Sequence, residues 1–170
     1  MRFDELRELQ APLKDRYRER PEEAVVTLRA EGELSRGIAC RVDTGRALVE
    51  AGLHPAAGGD GSQACSGDML LEALAACAGV TLRAVATAFG VEVRGGVVVA
   101  EGDLDFRGTL GVSKDAPVGF REIRMHITVD CDADPEVLEK IVDVTERYCV
   151  VLQTLKRPPE LSVALRDASG

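Results

Sequence analysis

Three features of the sequence predict an α+β fold in which antiparallel sheets pack around one long buried helix. Residues Met69 to Phe89 (MLLEALAACAGVTLRAVATAF) carry only Glu72 and Arg83 as charges, and a helix this apolar on nearly every face has to be buried. Residues Gly119 to Cys131 set Ile123, Met125, Ile127 and Val129 against Arg124, His126, Thr128 and Asp130, the period-two pattern of a half-buried strand. Strand-like and helical segments come in separate runs rather than as repeated strand–helix–strand units, which argues for antiparallel pairing.

Taken in order, residues 3 to 17 place Phe3, Leu6, Leu9, Leu13 and Tyr17 on one helical face, and Pro21 ends that helix. Residues 1–20 are therefore an N-terminal helical extension, and residues 21–170 form the main domain. Ala24 to Leu28, Gly37 to Val42 and Ala47 to Ala51 read as short strands, with a turn at Asp43-Thr44-Gly45. Pro55 to Gly67 is rich in glycine and without period, an irregular connection. Asp68 is placed to cap the long helix and Gly90 to stop it. At about 1.5 Å per residue that helix runs roughly 30 Å, the width of a small domain, so it is expected at the centre. Val91 to Phe106 and Gly119 to Cys131 are expected to pair as long strands. Asp134-Pro135-Glu136 opens a helix whose stripe includes Val137, Leu138, Ile141, Val142, Thr145 and Cys149. Lys156-Arg157-Pro158-Pro159 closes it or a short successor, and Glu160 to Leu165 is expected as a last strand.

Composition removes several functions. A net charge of -8 leaves no counterion-release term to favour nucleic acid or an anionic membrane face. Aromatic residues make up 4% of the chain, with no Trp, which excludes a base-stacking platform. The charged N-terminus has no signal-peptide core, and no stretch is expected to reach the roughly 18 apolar residues of a membrane span; the expectation is a cytoplasmic protein. Five cysteines, at 40, 65, 77, 131 and 149, make an odd set without CxxC, and His54 and His126 stand alone. Neither a disulfide framework nor a metal site is expected, and no cofactor is called for. Gly59, Gly61 and Ala64 satisfy a loose G-x-G-x-x-A, yet the loop is no tight turn between a strand and its helix. Ser66 lacks the flanking glycines of a nucleophile elbow.

The cysteines carry more information. Cys77 lies midway along the apolar helix in LAACAGV, and Cys149 ends the amphipathic helix in ERYCVVLQTL. A single buried cysteine packs as a small hydrophobe. Two thiols on separate core helices are also the arrangement a reversible disulfide requires, provided the helices pack with Cα atoms about 4.4 to 6.8 Å apart. Cys40 and Cys131 sit in or beside strands, and Cys65, in the loop, is a third thiol that competes as a resolving partner.

The stretch CSGDMLLEALAACAGVTL resembles the helix that carries the first cysteine of the OsmC/Ohr family, the osmotically inducible and organic hydroperoxide resistance proteins, and ERYCVVLQTL resembles the helix with the second. The loop PAAGGDGSQ and the element order agree, and the resemblance spans about residues 24 to 166. It implies a thiol peroxidase built as an intertwined homodimer with sites at the subunit interface. A central helix this long and apolar also exceeds what the other elements of one chain can cover, which points the same way.

By the resemblance, Cys77 is the peroxidatic thiolate that attacks a hydroperoxide, and Cys149 is the resolving thiol. An external thiol, a dihydrolipoyl group in some members, restores the pair. Family members hold an arginine from the first-strand region beside the peroxidatic thiolate, oriented by an acid just ahead of the helix. Arg36, in GELSRGIAC, matches that arginine best, with Arg41 and Arg29 behind it. The acid belongs to a Pro-Glu pair in the peroxidases, where this chain reads Ser66-Gly67-Asp68, so Asp68 takes its place. Val150 stands where a proline commonly follows the second cysteine. The alternative is a non-enzymatic member of the fold that binds a small apolar ligand at the dimer interface, its two cysteines merely packed.

Overall fold

The computed structural model describes residues 4, 31–34, 39–43, 48–111 and 113–166. The predicted N-terminal helix, the strand expected over Ala24 to Leu28 and the Asp43-Thr44-Gly45 turn lie mostly or wholly outside the described residues. Strands β1 (Glu31–Leu34), β2 (Ala39–Asp43) and β3 (Leu48–Gly52) form an antiparallel meander, with Glu31 opposite Asp43 and Ala39 opposite Gly52. The connection that follows is more ordered than its composition foretells. A 3-10 turn at Pro55–Ala57 is capped by His54, whose Nδ1 accepts a 3.0 Å hydrogen bond from the Ala56 N–H, and the imidazole stacks on Phe106. A two-residue strand, β4 (Ala64–Cys65), then runs parallel to β3 and feeds the central helix directly.

That helix, α1, spans Ser66–Ala88. It starts three residues earlier than the cap motif predicts: Cys65 occupies the N-cap position, and Asp68 is an exposed acid in the first turn. There its charge faces the positive end of the helix dipole. The stop is as predicted. Gly90 adopts φ +72°, its N–H reaches the Thr87 carbonyl at 3.1 Å, and the Val91 N–H reaches Ala86 at 2.9 Å, the paired bonds of a left-handed helix C-cap.

Strand β5 (Gly95–Leu104) and strand β6 (Phe120–Asp130) form a long antiparallel ribbon, Gly95 facing Asp130 and Leu104 facing Phe120, joined through a short helix α2 (Phe106–Thr109). The alternation read from β6 is realised: Ile123, Met125, Ile127 and Val129 pack with α1, while Arg124 pairs with Asp103 on the other face. Helix α3 (Pro135–Tyr148) has Asp134 at its N-cap position and proline in its first turn, and a short helix α4 (Val150–Lys156) follows. Residues 160–165, expected as a strand, form none. Leu161, Val163 and Leu165 are 82%, 101% and 99% exposed; their alternation is strand-like, but no strand among the described residues pairs with them.

The core has two halves along α1. Leu82, Val85 and Ala86 pack on Ile141 of α3; nearer the N-terminus, Leu74 and Ala78 pack on Cys149, between α3 and α4. One expectation is corrected here. Helix α1 is long and apolar enough to cross a membrane by length and composition, with a mean hydropathy of 1.6 over its most apolar window, of which 28% is buried. The sequence reading underrated it because Glu72 and Arg83 interrupt the unbroken apolar run but leave the average high. Packing on β5, α3 and α4 makes it a core helix, yet Ala73, Ala76, Val80 and Arg83 form an exposed stripe, with Val80 73% exposed.

Gly102 leaves room for the Phe120 ring of β6 and, beyond it, for Leu71 of α1. A Cβ there would meet Phe120 Cε1 at 2.5 Å and Leu71 Cδ2 at 3.3 Å. We expect Gly102→Ala to lower stability by about 1–3 kcal/mol through overpacking, measured as a lower urea midpoint with the slope unchanged.

Candidate functional site

Cys77 faces the corner where α3 gives way to α4, and that corner is built around Cys149. Thr145 is fully buried and donates its hydroxyl to the Ile141 carbonyl at 2.7 Å, the backbone-bonding habit of a threonine inside a helix. Cys149 then leaves the helical region, at φ -70° and ψ 107°, while its N–H still reaches the Thr145 carbonyl at 2.9 Å. Its own carbonyl accepts from the Gln153 N–H at 2.9 Å, so one residue ends α3 and begins α4. Two further bonds tie the corner down: Gln153 Nε2 donates to the Glu146 carbonyl at 2.7 Å, and Lys156 Nζ pairs with Glu146 Oε2 at 2.7 Å. Cys149 is thereby held fully buried against Leu74 and Ala78, with Cys77, Val151 and Leu152 packed around it.

The two thiols lie in one packed cluster, and their environments drive their acidities apart. Burial opposes ionisation of Cys77. It is outweighed by the N–H of Val151, the thiol of Cys149, the N–H of Val150 and the hydroxyl of Thr81, which together hold the Cys77 thiol below its ordinary value. Burial pushes the Cys149 thiol up; the Leu152 N–H works against this, and the Cys77 thiol beside it adds to the rise through its hydrogen bond and, once ionised, its charge. One thiol of the pair is thus disposed to be a thiolate and the other to keep its proton, which is what separates a nucleophile from a resolving group.

The other residues singled out from the sequence stand differently. Arg36 and Arg29 lie outside the described residues, and Arg41 is described only as a backbone position in β2, opposite Glu33 and Glu50. Asp68 sits nine residues before Cys77 on the same helix, about 13 Å along the axis at ~1.5 Å per residue, and does not touch the thiol pair. Cys65, at the N-cap, is about 18 Å away by the same measure, beside Gly67. Cys131 is half-buried beyond the end of β6. Among the described residues, no group of three or more His, Cys, Asp or Glu side chains converges as a metal site.

Sequence reasoning missed the neutral donors. The only written sign of Thr81 is its place four residues after Cys77, and the N–H groups of Val150 and Val151 become donors only through the break at Cys149, which periodicity does not reveal. It also missed a cavity of about 630 Å³ that shares Leu74, Ile123, Met125 and Leu152 with the wall behind the thiol pair and has Arg121 and Lys156 among its lining residues.

A family model described as OsmC-like protein matches residues 59–164. No curated protein sequence matches the chain. Among solved structures, an OsmC-like protein from Mycoplasma pneumoniae superposes with a TM-score of 0.66 at 16% identity, covering 78% of this chain and 89% of that one. An organic hydroperoxide resistance protein from Elizabethkingia anophelis gives 0.63 at 14% identity, covering 79% and 91%. The organic hydroperoxide resistance protein of Bacillus subtilis gives 0.55 at 18% identity, covering 78% and 93%. At these identities the likeness is one of fold.

The donor geometry yields a test. Because the Cys77 thiol is held low and the Cys149 thiol high, iodoacetamide should label Cys77 before Cys149 as pH rises, since the thiolate is the reactive form. Val150→Pro should move the Cys77 midpoint up. Proline suits the first turn of a helix and lacks only the N–H, and Cys149 already has the extended backbone that a residue before proline prefers. Peptide mass spectrometry of labelled protein across pH reads both outcomes.

Proposed function

The chain belongs to the OsmC-like protein family, and we propose that it acts there as a cytoplasmic, homodimeric thiol peroxidase that reduces organic hydroperoxides through Cys77 and Cys149. The observation that carries this reading is the meeting of the two thiols with opposite acid–base bias. In the proposed cycle the Cys77 thiolate attacks the terminal peroxide oxygen. An S–O bond forms as the O–O bond breaks, the sulfur gives up two electrons, and the alkoxide takes a proton and leaves as alcohol. The sulfenic acid carries no charge, so the repulsion that helped to keep Cys149 protonated is gone and Cys149 ionises more readily. Its sulfur attacks that of Cys77, an S–S bond forms, and hydroxide leaves as water with the proton released. A dithiol of the dihydrolipoyl class then returns both thiols by exchange and departs as its own disulfide.

Arg36 is proposed as the cation that assists the thiolate and the leaving alkoxide, with Asp68 acting only through Arg36. The aliphatic wall shared by the cavity and the thiol pair supports an alkyl peroxide over hydrogen peroxide. That cavity equally favours the second reading, a binder of a small apolar ligand whose cysteines do not turn over.

Free-thiol titration separates the two. One equivalent of cumene hydroperoxide should remove two thiols per chain and leave a Cys77–Cys149 disulfide in the peptide map. Cys77→Ser should abolish the reaction, and Cys149→Ser should permit one reduction and then stall. Thiols unchanged by peroxide would leave the binder.

Dimerisation is supported by the exposed α1 stripe and by the exposed alternation of Leu161, Val163 and Leu165, which no strand among the described residues pairs, apolar surface that a second copy would cover. Light scattering should report twice the 18.2 kDa chain mass, and Val80→Asp should shift the equilibrium toward monomer; a wild-type monomer at micromolar concentration would sink the dimer.

A further inference from the structure

We infer that the cavity beside the thiol pair is a binding site for an aliphatic chain ending in a carboxylate, with Arg121 as the residue that takes the carboxylate. This inference rests on the reading of that cavity as a ligand site and does not depend on peroxide turnover, since neither Cys77 nor Cys149 is among its lining residues. Three elements supply apolar walls: Leu70 and Leu74 from α1, Ile123 and Met125 from β6, and Leu152 and Leu155 from α4. The volume of about 630 Å³ lies within the range of small-molecule sites. The stripe of α1 proposed to meet a second copy, Ala73, Ala76, Val80 and Arg83, points about a third of a turn away from Leu70 and Leu74, so that contact and this cavity use different faces of the helix.

The polar end of the ligand is set by an irregularity in the β5–β6 ribbon. From Gly95 opposite Asp130 to Asp103 opposite Glu122 the pairing runs in step; then Leu104 faces Phe120, and Arg121 is left without a cross-strand partner. A one-residue bulge of this kind bends its strand and re-aims side chains, and bulges are over-represented next to active sites. In an unbroken strand Phe120 and Arg121 would lie on opposite faces, whereas here both line the cavity. The partners that could neutralise Arg121 are committed elsewhere. Lys156, the other cation of the lining, holds Glu146 Oε2 at 2.7 Å. Glu122, also in the lining, lies 3.5 Å from Arg124. Among the described residues the one ion pair of Arg121 is to Asp105, at 3.9 Å, and Arg107 Nε already bonds both oxygens of that carboxylate, at 2.9 and 3.2 Å. The Arg121 guanidinium is therefore the least engaged charge of the lining, and its planar fork matches a carboxylate through two parallel bonds. A head with a single negative charge fits best, because Glu122 and Glu146 in the same lining oppose a dianion such as a phosphate monoester.

Isothermal titration calorimetry of the full chain at two temperatures, with octanoate, octanol and octyl phosphate as probes, tests this. Octanoate should bind, and octanol about three- to tenfold more weakly, the difference made by a charge-assisted bond to a guanidinium that is more than half exposed. Arg121→Gln should bring octanoate to the level of octanol and leave octanol unchanged, and Arg121→Lys should restore part of the difference. Leu155→Asp places a like charge in the lining and should weaken octanoate more than octanol, which gives a second route should substitution at the bulge disturb the ribbon; circular dichroism and urea melts of each variant report on that. Equal binding of octanoate and octanol by the wild type, octanoate binding unaltered in Arg121→Gln, or octyl phosphate bound more tightly than octanoate overturns the assignment of a carboxylate to Arg121. Failure of both octanoate and octanol to bind at millimolar concentration defeats the ligand-site reading and the inference with it. The peroxidase reading is decided separately: thiols untouched by cumene hydroperoxide would defeat it and leave these affinities as they are.

Discussion

A helix apolar on almost every face can be stable only if other elements surround it, and the rest of this structure is arranged to meet that demand on α1. The β5–β6 ribbon lays Val98, Ala100, Ile123 and Met125 along one side, α3 brings Ile141 to the C-terminal half, and the corner between α3 and α4 brings Cys149 to the N-terminal half. Each buried leucine or isoleucine contributes roughly 1.5–3 kcal/mol, so the packing that encloses the helix is also what brings Cys149 to Cys77. The same demand bears on what the described residues leave exposed. The stripe through Ala73, Ala76 and Val80 is exposed, and no strand among the described residues lies beside the alternating tail from Leu161 to Leu165.

The break at Cys149 is where packing becomes chemistry. A continuous helix from Pro135 to Lys156 would spend the N–H groups of residues 150 and 151 on carbonyls four residues back. Ending α3 at Tyr148 and restarting at Val150 frees those groups, and Cys77 lies where they point. The ties from Gln153 and Lys156 to Glu146 keep the two short segments at a fixed angle, so the donors are in place before any charge forms. Val150 matters here because a proline at this position has no N–H to give.

Much of this was legible in the sequence, and the parts that were not share a cause. The long helix, its glycine stop, the inward and outward sides of β6 and the proline-led start of α3 are encoded by neighbours within a few residues, which periodicity and cap chemistry capture. The start of α1 at Ser66 is not encoded as sharply, because a carboxylate suits both the cap and the first turn, and Ser66-Gly67 has no strong preference of its own. The glycine-rich loop carries no period, yet β4 forms in it, since a two-residue strand depends on the β3 edge at Ala51 and Gly52 rather than on its own residues. At the site, the cysteine pair could be named from the resemblance, but Thr81 and the two N–H donors could not, because their role exists only once α1 meets the corner. The cavity behind the pair is a product of the same meeting.

Those neutral donors bear on how much a cation must do. In water an N–H or hydroxyl bond to a thiolate gains little over the solvent it replaces, whereas packing against the aliphatic side chains of Leu74, Met125 and Leu152 displaces part of that solvent. The burial that opposes a thiolate at Cys77 therefore also strengthens each donor that favours it, and four donors tip the balance. Cys149 has fewer donors and an ionisable neighbour, and burial prevails there. The division of labour between two chemically identical side chains thus arises from their count of donors within one desolvated contact, and a guanidinium such as that of Arg36 would add to a bias that the backbone has already set.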